Sequence, residues 1–248
     1  MKIFLLSLLS SYRAIRHKFR MFIAHNWQLL PFLKPSIGIQ KKWLGSIYGG
    51  FYVHPPLLQP DQLVVSVGIG KDISFDLALI EKYKLQVYAY DPTPKSLNWL
   101  QTQQLPATFQ YFDFGLHATI DGEVTFYLPK DERAVSASSK ISAVMNENEA
   151  IKVQMRTFKE LLQTLPSKHI SIFKMDIEGA EYEVLETLFE DSEVQIDQLL
   201  VEFHDRMFKD THPHLSQKSA AYLKLKGYVP FGCSLSSEEV SFIHQSLV

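Results

Sequence analysis

The sequence predicts an α/β protein with a doubly wound, Rossmann-like, mostly parallel sheet. Short apolar runs of the length of buried strands alternate with segments whose apolar residues recur at helical spacing, and a Gly-x-Gly turn joins the first strand to a helix. The clearest unit is ISIFKMDIEGAEYEVLETL (residues 170–188), where an apolar strand passes into an amphipathic helix at Gly179. Ligands of such sheets bind outside the carboxyl ends of the strands, so polar residues there are site candidates.

The remaining elements follow the same pattern. Strands are predicted at 63–67, 87–90, 108–112, 196–203, 228–233 and 240–244, the last two as an antiparallel pair, and helices near 73–80, 96–100, 158–165 and 215–225. The alternating segment Val124 to Leu128 indicates an extra strand or hairpin. Residues 131–149 are polar and rich in serine, which predicts a long loop of the kind that covers a site.

Composition excludes several classes of protein. At 248 residues, with 46% hydrophobic and 21% charged residues, the chain suits one α/β domain with an appendage. The single cysteine, Cys233, excludes an intrachain disulfide and a zinc site built from cysteines, and it suits a reducing compartment such as the cytoplasm. Eight Lys or Arg residues and no acid precede Asp61. The rest of the chain is acidic and carries no nucleic-acid motif, which argues against a nucleic-acid partner.

Residues 1–60 are predicted to be a basic N-terminal helical extension, and residues 61–248 the main domain. The first apolar run is too short for a spanning helix and lacks a cleavage site. Apolar and basic side chains of residues 8–23 fall on opposite faces of a helix. Two interpretations stay open: the apolar face packs on the domain or a second subunit, which we favour, or the helix lies on an anionic membrane surface, which would make the protein peripheral to the membrane. The aromatic segment 30–59 is expected to pack against the domain and cover its pocket.

The first strand–turn–helix unit predicts a site for a nucleoside. Gly68 and Gly70 allow backbone N–H groups to approach a ligand closely, and Asp91 ends the next strand at the spacing typical of ribose binding. Ile73 stands where a dinucleotide fingerprint has its third glycine, which argues against a pyrophosphate.

Residues 176–186 carry several acids with different predicted roles. Asp176 is an acid inside an apolar strand, which costs desolvation unless it has a partner or a ligand, so it is predicted to line the pocket. Glu178 and Glu181 are assigned to the helix start, whose dipole favours negative charge, with Glu181, Glu183 and Glu186 opposite the apolar face.

Six segments together resemble one family. VSVGIGKDISFDLAL, YAYDPTP, FGLHATIDGEVTFYLP, the serine-rich loop, FKMDIEGAEYEVL and LLVEFH are similar to the successive motifs of the FkbM-type methyltransferases, from about Trp43 to the C-terminus. The resemblance implies a class I methyltransferase sheet with an antiparallel C-terminal strand. It implies S-adenosylmethionine as cofactor and, as in many relatives, a hydroxyl of a saccharide, glycan or natural product as methyl acceptor.

The resemblance also implies cofactor contacts. Gly68 and Gly70 would approach the methionine part, Asp91 the ribose hydroxyls, and Gly115 and Leu116 the adenine. The sequence departs from the pattern at Ser66, where methyltransferases often have an acid. The contact with the amino-acid end of the cofactor is therefore expected from Asp72 or a water molecule.

Proton removal from a hydroxyl calls for a base or a metal. We predict His204 as the base, oriented by Glu202, with Asp176 holding the acceptor. No ligand spacing demands a metal, so none is predicted, although Asp, Glu and His together could hold a divalent ion. Two alternatives stay open: methylation of a nitrogen, and a non-catalytic cofactor-binding or scaffold protein that docks through its basic N-terminus. The oligomeric state is not predicted.

Overall fold

A computed structural model describes residues 31–129, 145–205 and 215–248. Its strands are β1 (Lys42–Leu44), β2 (Phe51–Val53), β3 (Leu63–Val67), β4 (Gln86–Tyr90), β5 (Phe109–Phe112), β6 (Gly115–Leu116), β7 (Gly122–Pro129), β8 (Met145–Arg156), β9 (His169–Met175), β10 (Gln195–Glu202), β11 (Tyr228–Cys233) and β12 (Glu239–His244). Its helices are α1 (Ser74–Tyr83), α2 (Pro94–Leu100), α3 (Phe158–Leu162), α4 (Glu181–Thr187) and α5 (Leu215–Leu225).

The predicted N-terminal helix, and with it the membrane interpretation, falls outside these residues. Within the described ranges no helix has both the length and the apolar character needed to cross a membrane.

The central sheet has seven strands in the order β11-β12-β10-β9-β3-β4-β5. Neighbouring strands from β10 to β5 run parallel, β12 pairs antiparallel with β10, and β11 pairs antiparallel with β12. This order confirms the predicted doubly wound sheet and its antiparallel C-terminal strand. The chain leaves β3 in one direction to reach β4 and in the other to reach β9, and the crevice at that reversal is where such sheets bind ligands.

Apolar side chains cover both faces of the sheet. Val65 and Val67 of β3 pack with residues of α3, α4 and α5 on one face. Val64 packs with residues of β1, β2 and α1 on the other. Strands buried on both faces have nearly continuous apolar sequences, and LVVSV of β3 shows this pattern.

The hairpin β1–β2 packs on the face formed by α1 and the C-terminal strands. Phe51 is completely buried, and the His54 N–H donates to Oε1 of Gln198 on β10 at 2.7 Å. The expectation that this aromatic segment packs against the domain is confirmed. The domain boundary at residue 60 stays a prediction.

A second, three-stranded sheet, β6-β8-β7, accompanies the central one. The predicted extra hairpin is confirmed as β7 and β8, which pair antiparallel. The predicted loop at residues 131–149 is wrong for 145–149, because β8 begins at Met145 and pairs with β7 from that residue. Residues 131–144 lie outside the described part of the chain. Glu149 and Ala150 are exposed. This exposed part of β8 is held by backbone pairing and needs no apolar alternation, so its sequence gives little signal.

Candidate functional site

A cavity of about 330 Å³ lies at the carboxyl ends of β3, β4 and β9. Seven of the nine predicted site residues line it: Gly68, Gly70, Asp72, Asp91, Gly115, Leu116 and Asp176. The other two, Glu202 and His204, are outside its lining. The tight grouping at one edge of the sheet follows from parallel pairing, because the carboxyl ends of neighbouring parallel strands meet there.

The turn after β3 brings two strand ends into direct contact. Gly68 has a φ of +76°, and a Cβ there would lie 1.6 Å from the backbone carbonyl oxygen of Asp176. Its N–H donates to the Tyr90 carbonyl at 2.8 Å, and its carbonyl accepts from Nζ of Lys174 at 2.7 Å. Only glycine permits both this backbone angle and this close approach. The turn therefore links the ends of β3, β4 and β9 and forms one wall of the cavity.

Asp91 lies almost fully buried after β4, and hydrogen bonds from neighbouring residues hold its carboxylate in place. Its Oδ1 accepts from the N–H (2.9 Å) and the hydroxyl (2.6 Å) of Thr93, and its Oδ2 accepts from the N–H of Gly70 at 2.9 Å. Burial raises the pKa of this carboxyl, and the bonds from Thr93 and Gly70 oppose that rise. A carboxylate has about four acceptor positions, so Oδ2 keeps capacity for one further donor.

Apolar residues line the side of the cavity near Asp91. Gly115 and Leu116 lie beside Phe126 of β7 and Met155 of β8. A Cβ on Gly115 would lie 2.7 Å from Sδ of Met155, so the backbone there approaches its neighbours closely. This surface suits a flat aromatic ring next to a carboxylate. The donor set therefore fits a nucleoside, with Asp91 for a ribose hydroxyl and these residues for a base.

Asp72 joins the first hairpin to the start of α1. Its Oδ2 accepts from the Ser46 hydroxyl, and its Oδ1 accepts from the N–H of Ser74 at 2.9 Å. Burial raises the pKa of Asp72, but the bonds from Ser46 and Ser74 and the charge of Lys174 outweigh burial and lower it overall. The turn of the hairpin contributes Tyr48 and Gly49 to the cavity lining, in agreement with the expectation that this segment covers the pocket.

A buried polar group lies behind the Gly68 turn. Lys174 of β9 and Asp76 of α1 are both almost fully buried, and Ser66 of β3 is completely buried. Burial raises the pKa of Asp76, an effect that the charge of Lys174 opposes. Lys174 also lines the cavity, so it places a cation near the methionine end of the predicted cofactor site. Ser66 does not line the cavity.

Four acids surround His204 at the ends of β9 and β10. Its Nε2 lies 3.6 Å from Oδ1 of Asp176, 3.4 Å from Oε2 of Glu178 and 3.6 Å from Oε1 of Glu202. Its Nδ1 lies 3.1 Å from Oε1 of Glu181. The imidazole is completely buried, and Nε2 has no hydrogen-bond partner among the described residues. Asp176 and Glu178 connect this cluster to the cavity, because both line it.

Glu181 orients the imidazole. This completely buried carboxylate accepts from the backbone N–H of His204 at 2.9 Å and from that of Gly179 at 2.8 Å, besides its contact with Nδ1. Burial lowers the pKa of His204, but Glu181, Asp176 and Glu178 outweigh burial and raise it to about 10. The predicted orienting residue, Glu202, instead lies on the Nε2 side. The catalytic roles predicted for His204, Asp176 and Glu202 stay predictions.

Three contributors to the site were not predicted from the sequence. Lys174 could have been found by the argument used for Asp176, as a charge inside an apolar strand. Placing Glu181 opposite the apolar face was wrong: it precedes Leu185 by four residues and Leu188 by seven, so helical spacing itself puts it on the buried face. Glu178 was assigned to the helix start. Its φ of +50° turns the chain ahead of α4, and its carboxylate reaches His204.

Comparison with sequence models of protein families identifies one family. The sequence model of the methyltransferase FkbM domain matches residues 51–230. No curated protein matches the chain significantly in sequence. Among solved structures, the methyltransferase FkbM of Methylobacillus flagellatus KT is 15% identical, with 78% of this chain and 46% of that one covered and a TM-score of 0.44. A mycolic acid cyclopropane synthase complexed with SAH and CTAB is 12% identical, with 67% and 46% covered and a TM-score of 0.30. The chain thus spans about half the length of each.

Proposed function

The chain belongs to the FkbM methyltransferase family, and we propose from this premise that it transfers the methyl group of S-adenosylmethionine to a hydroxyl group. The acceptor we propose is a saccharide, a glycan or a natural product that carries such a hydroxyl. Asp91 is the observation that carries the proposal. It is a buried carboxylate at the end of β4 with capacity for one further donor, beside a glycine turn and an apolar surface.

Each part of the cavity has a proposed role in holding the cofactor. Oδ2 of Asp91 accepts a ribose hydroxyl, and the surface of Leu116, Phe126 and Met155 packs against the adenine. The Gly68 turn lies beside the methionine part. The carboxylate of the cofactor's methionine part faces Lys174, and its ammonium faces Asp72. These two residues of opposite charge lie on that side of the cavity.

Methyl transfer to oxygen needs alignment and removal of one proton. Bound S-adenosylmethionine supplies an electrophilic methyl group on a sulfonium. With the cofactor bound, the acceptor oxygen would form the new C–O bond as the C–S bond breaks and its electron pair returns to sulfur, so the protein would chiefly hold that oxygen in line with the methyl carbon. The hydroxyl proton leaves to a base in the cavity wall. Asp176 and Glu178 are the carboxylates of the His204 cluster that reach the cavity.

The structure favours Asp176 over His204 as the group that meets the acceptor. Asp176 lines the cavity, whereas His204 is completely buried and outside the lining. We therefore propose that Asp176 accepts a hydrogen bond and then the proton from the acceptor hydroxyl.

A saccharide acceptor is favoured by the residues around the cavity mouth. Tyr48 lines the cavity with 78% of its surface exposed. An aromatic ring presents an apolar face, and the carboxylates of Asp176 and Glu178 accept hydrogen bonds from hydroxyl groups. A polyhydroxylated ring matches both features.

The cofactor part of the proposal is tested by calorimetry with S-adenosylhomocysteine. We expect one binding site per chain, and about 10–100-fold weaker binding by Asp91→Asn, because one hydrogen bond to a charged group is lost. Asp113→Asn is the matched control: it changes an exposed aspartate that follows β5, the neighbouring strand. No binding by the wild-type chain, or equal weakening by both variants, would contradict the proposal.

The acceptor part is tested with S-adenosylmethionine labelled in its methyl group and a panel of saccharides, glycolipids and amines. Label in an O-methyl ether supports the proposal, and label on nitrogen contradicts it. A non-catalytic binding protein is the second candidate. It is favoured by Ser66, which is completely buried and does not line the cavity. Binding of S-adenosylhomocysteine without transfer to any acceptor would select it.

A further inference from the structure

The buried imidazole of His204 has one nitrogen whose partner is clear. Nδ1 faces Oε1 of Glu181 at 3.1 Å, and this carboxylate already accepts two backbone N–H groups. A carboxylate with these partners acts as an acceptor, so we assign the proton of the neutral imidazole to Nδ1. A carboxylate that receives the N–H of a histidine, leaving the other nitrogen free, is the usual arrangement behind a metal-ligating histidine.

The other nitrogen is completely buried and lacks a hydrogen bond among the described residues. Carboxylate oxygens of Asp176, Glu178 and Glu202 lie 3.4–3.6 Å from it. These distances exceed the 2.7–2.9 Å of a charge-assisted N–H···O bond. Carboxylate oxygens around this nitrogen favour a positive charge between them, and at these distances a divalent cation fills that position without the short N–H···O contacts that a proton would need.

The distances from Nε2 to the three carboxylates are close to the spacing of ligands around one ion. Two ligand atoms bound about 2.1 Å from a common cation, at angles of about 90–110°, lie about 3.0–3.4 Å apart. One ligand atom from each of Asp176, Glu202 and His204 can be chosen so that all lie within 4.8 Å of one another. Small side-chain rotations would bring these atoms to bonding distance.

We propose that Asp176, Glu202 and His204 bind a divalent cation, with Glu178 as a further oxygen ligand from the cavity side. The site departs from the metal-free site that the sequence predicts. Carboxylate oxygens suit Mg²⁺ and Mn²⁺, and a single imidazole shifts the preference toward the transition metal. Mn²⁺ is therefore the ion that best matches one nitrogen and two or three oxygens.

The position of the site gives the cation a role, and this step depends on the proposed function. Asp176 and Glu178 belong both to the cation site and to the cavity lining, so the ion would lie at the cavity wall. There it would lower the pKa of an acceptor hydroxyl and orient the hydroxyl oxygen toward the methyl group. The chain would thereby supply a hard Lewis acid where the buried His204 cannot reach the acceptor.

The binding of Mn²⁺ itself is the direct test. The full chain is treated with chelator, exchanged into chelator-free buffer and titrated with Mn²⁺, and free ion is followed by electron paramagnetic resonance. We expect one Mn²⁺ per chain. We expect at least about tenfold weaker binding in Glu202→Gln and Asp176→Asn, which keep side-chain shape, and in His204→Ala. Asp197→Asn is the matched control, because it changes a histidine-paired aspartate on the same strand, β10, away from the site.

Two results would overturn the cation site: no stoichiometric binding by the wild-type chain, or unchanged binding by folded Glu202→Gln and Asp176→Asn. These two variants keep the test decisive if His204→Ala does not fold, as circular dichroism would show. S-adenosylhomocysteine binding, measured in parallel, separates the two proposals. If S-adenosylhomocysteine binds and Mn²⁺ does not, the methyltransferase proposal stands and the cation site is excluded. If Mn²⁺ binds and S-adenosylhomocysteine does not, the cation site stands and the methyltransferase proposal is excluded.

Discussion

Strands β9 and β10 carry a histidine beside carboxylates at both of their ends, and the two arrangements differ. At the amino ends, His169 Nε2 lies 3.0 Å from both carboxylate oxygens of Asp197, and half of the His169 side chain is exposed. At the carboxyl ends, His204 is completely buried, and its Nε2 lies 3.4–3.6 Å from three carboxylates without a hydrogen bond among the described residues.

The same residue types, a histidine beside carboxylates, therefore form a candidate binding site at one end of these strands and not at the other. Water reaches the His169 side chain at the amino ends, and solvent-screened pairs contribute about 0–1 kcal/mol to stability. At the carboxyl ends, a buried nitrogen without a partner costs about 1–3 kcal/mol. The carboxyl ends are also where a doubly wound sheet binds its ligands. Four predictions, from the largest expected effect to the smallest, test whether the two ends differ as described.

Gly68→Ala should disrupt the carboxyl ends most strongly. The new Cβ would overlap the Asp176 carbonyl oxygen, and the residue keeps a positive φ, so we expect the free energy of unfolding to fall by more than about 3 kcal/mol. Urea denaturation measures this. Gly38→Ala is the control, because a Cβ at Gly38 would meet no atom within 4 Å. A loss below about 1 kcal/mol in Gly68→Ala would show that the two strand ends can separate without cost.

Glu181→Ala should break the buried pair with His204. It removes the acceptor for the backbone N–H groups of Gly179 and His204 and leaves the imidazole beside a void. Breaking a buried pair of this kind costs about 3–5 kcal/mol, measurable by urea denaturation. Glu186→Ala on the exposed side of α4 should change stability by less than about 0.5 kcal/mol. Equal effects of the two substitutions would contradict a structural role for Glu181.

Glu178→Gly should separate stability from activity. A non-glycine residue at φ +50° is strained by about 1 kcal/mol, so glycine should raise the free energy of unfolding by up to about that amount. The lost carboxylate should lower methyl transfer at least about tenfold. Lys84→Gly is the matched control, because Lys84 has a φ of +58° at the end of α1, outside the cavity lining. Unchanged activity in Glu178→Gly would remove this residue from the site.

Asp197→Asn at the amino ends should have the smallest effect. The His169 side chain is half exposed and the pair lies away from the cavity, so we expect stability to change by less than about 1 kcal/mol and methyl transfer by less than about twofold. Thermal denaturation measures the change in stability, and transfer of a labelled methyl group measures the change in activity. A tenfold loss of activity would mean that the two ends of β9 and β10 are coupled, and the contrast between them would fail.

The predictable parts of the site depend on short-range patterns. Gly68, Asp91 and Asp176 were found because a glycine turn, a strand end and an acid in an apolar run are visible within a few residues of sequence. Glu181 was not predicted to be buried, because a charged side chain normally favours the exposed face even where helical spacing places it on the buried one. A buried glutamate is stable only with partners, and its chief partner, His204, is 23 residues away in sequence.

The sequence by itself determined the strand–helix units, the antiparallel C-terminal pair and the family, because periodicity, glycine turns and motif order are local properties of the chain. Only the tertiary structure decided that four acids converge on one buried imidazole. That convergence depends on the parallel register of β9 and β10, which sets Met175 opposite Val201 and so brings Asp176 and Glu202 to the same edge. Register is a relation between distant segments, and the unpartnered Nε2 of His204 follows from it.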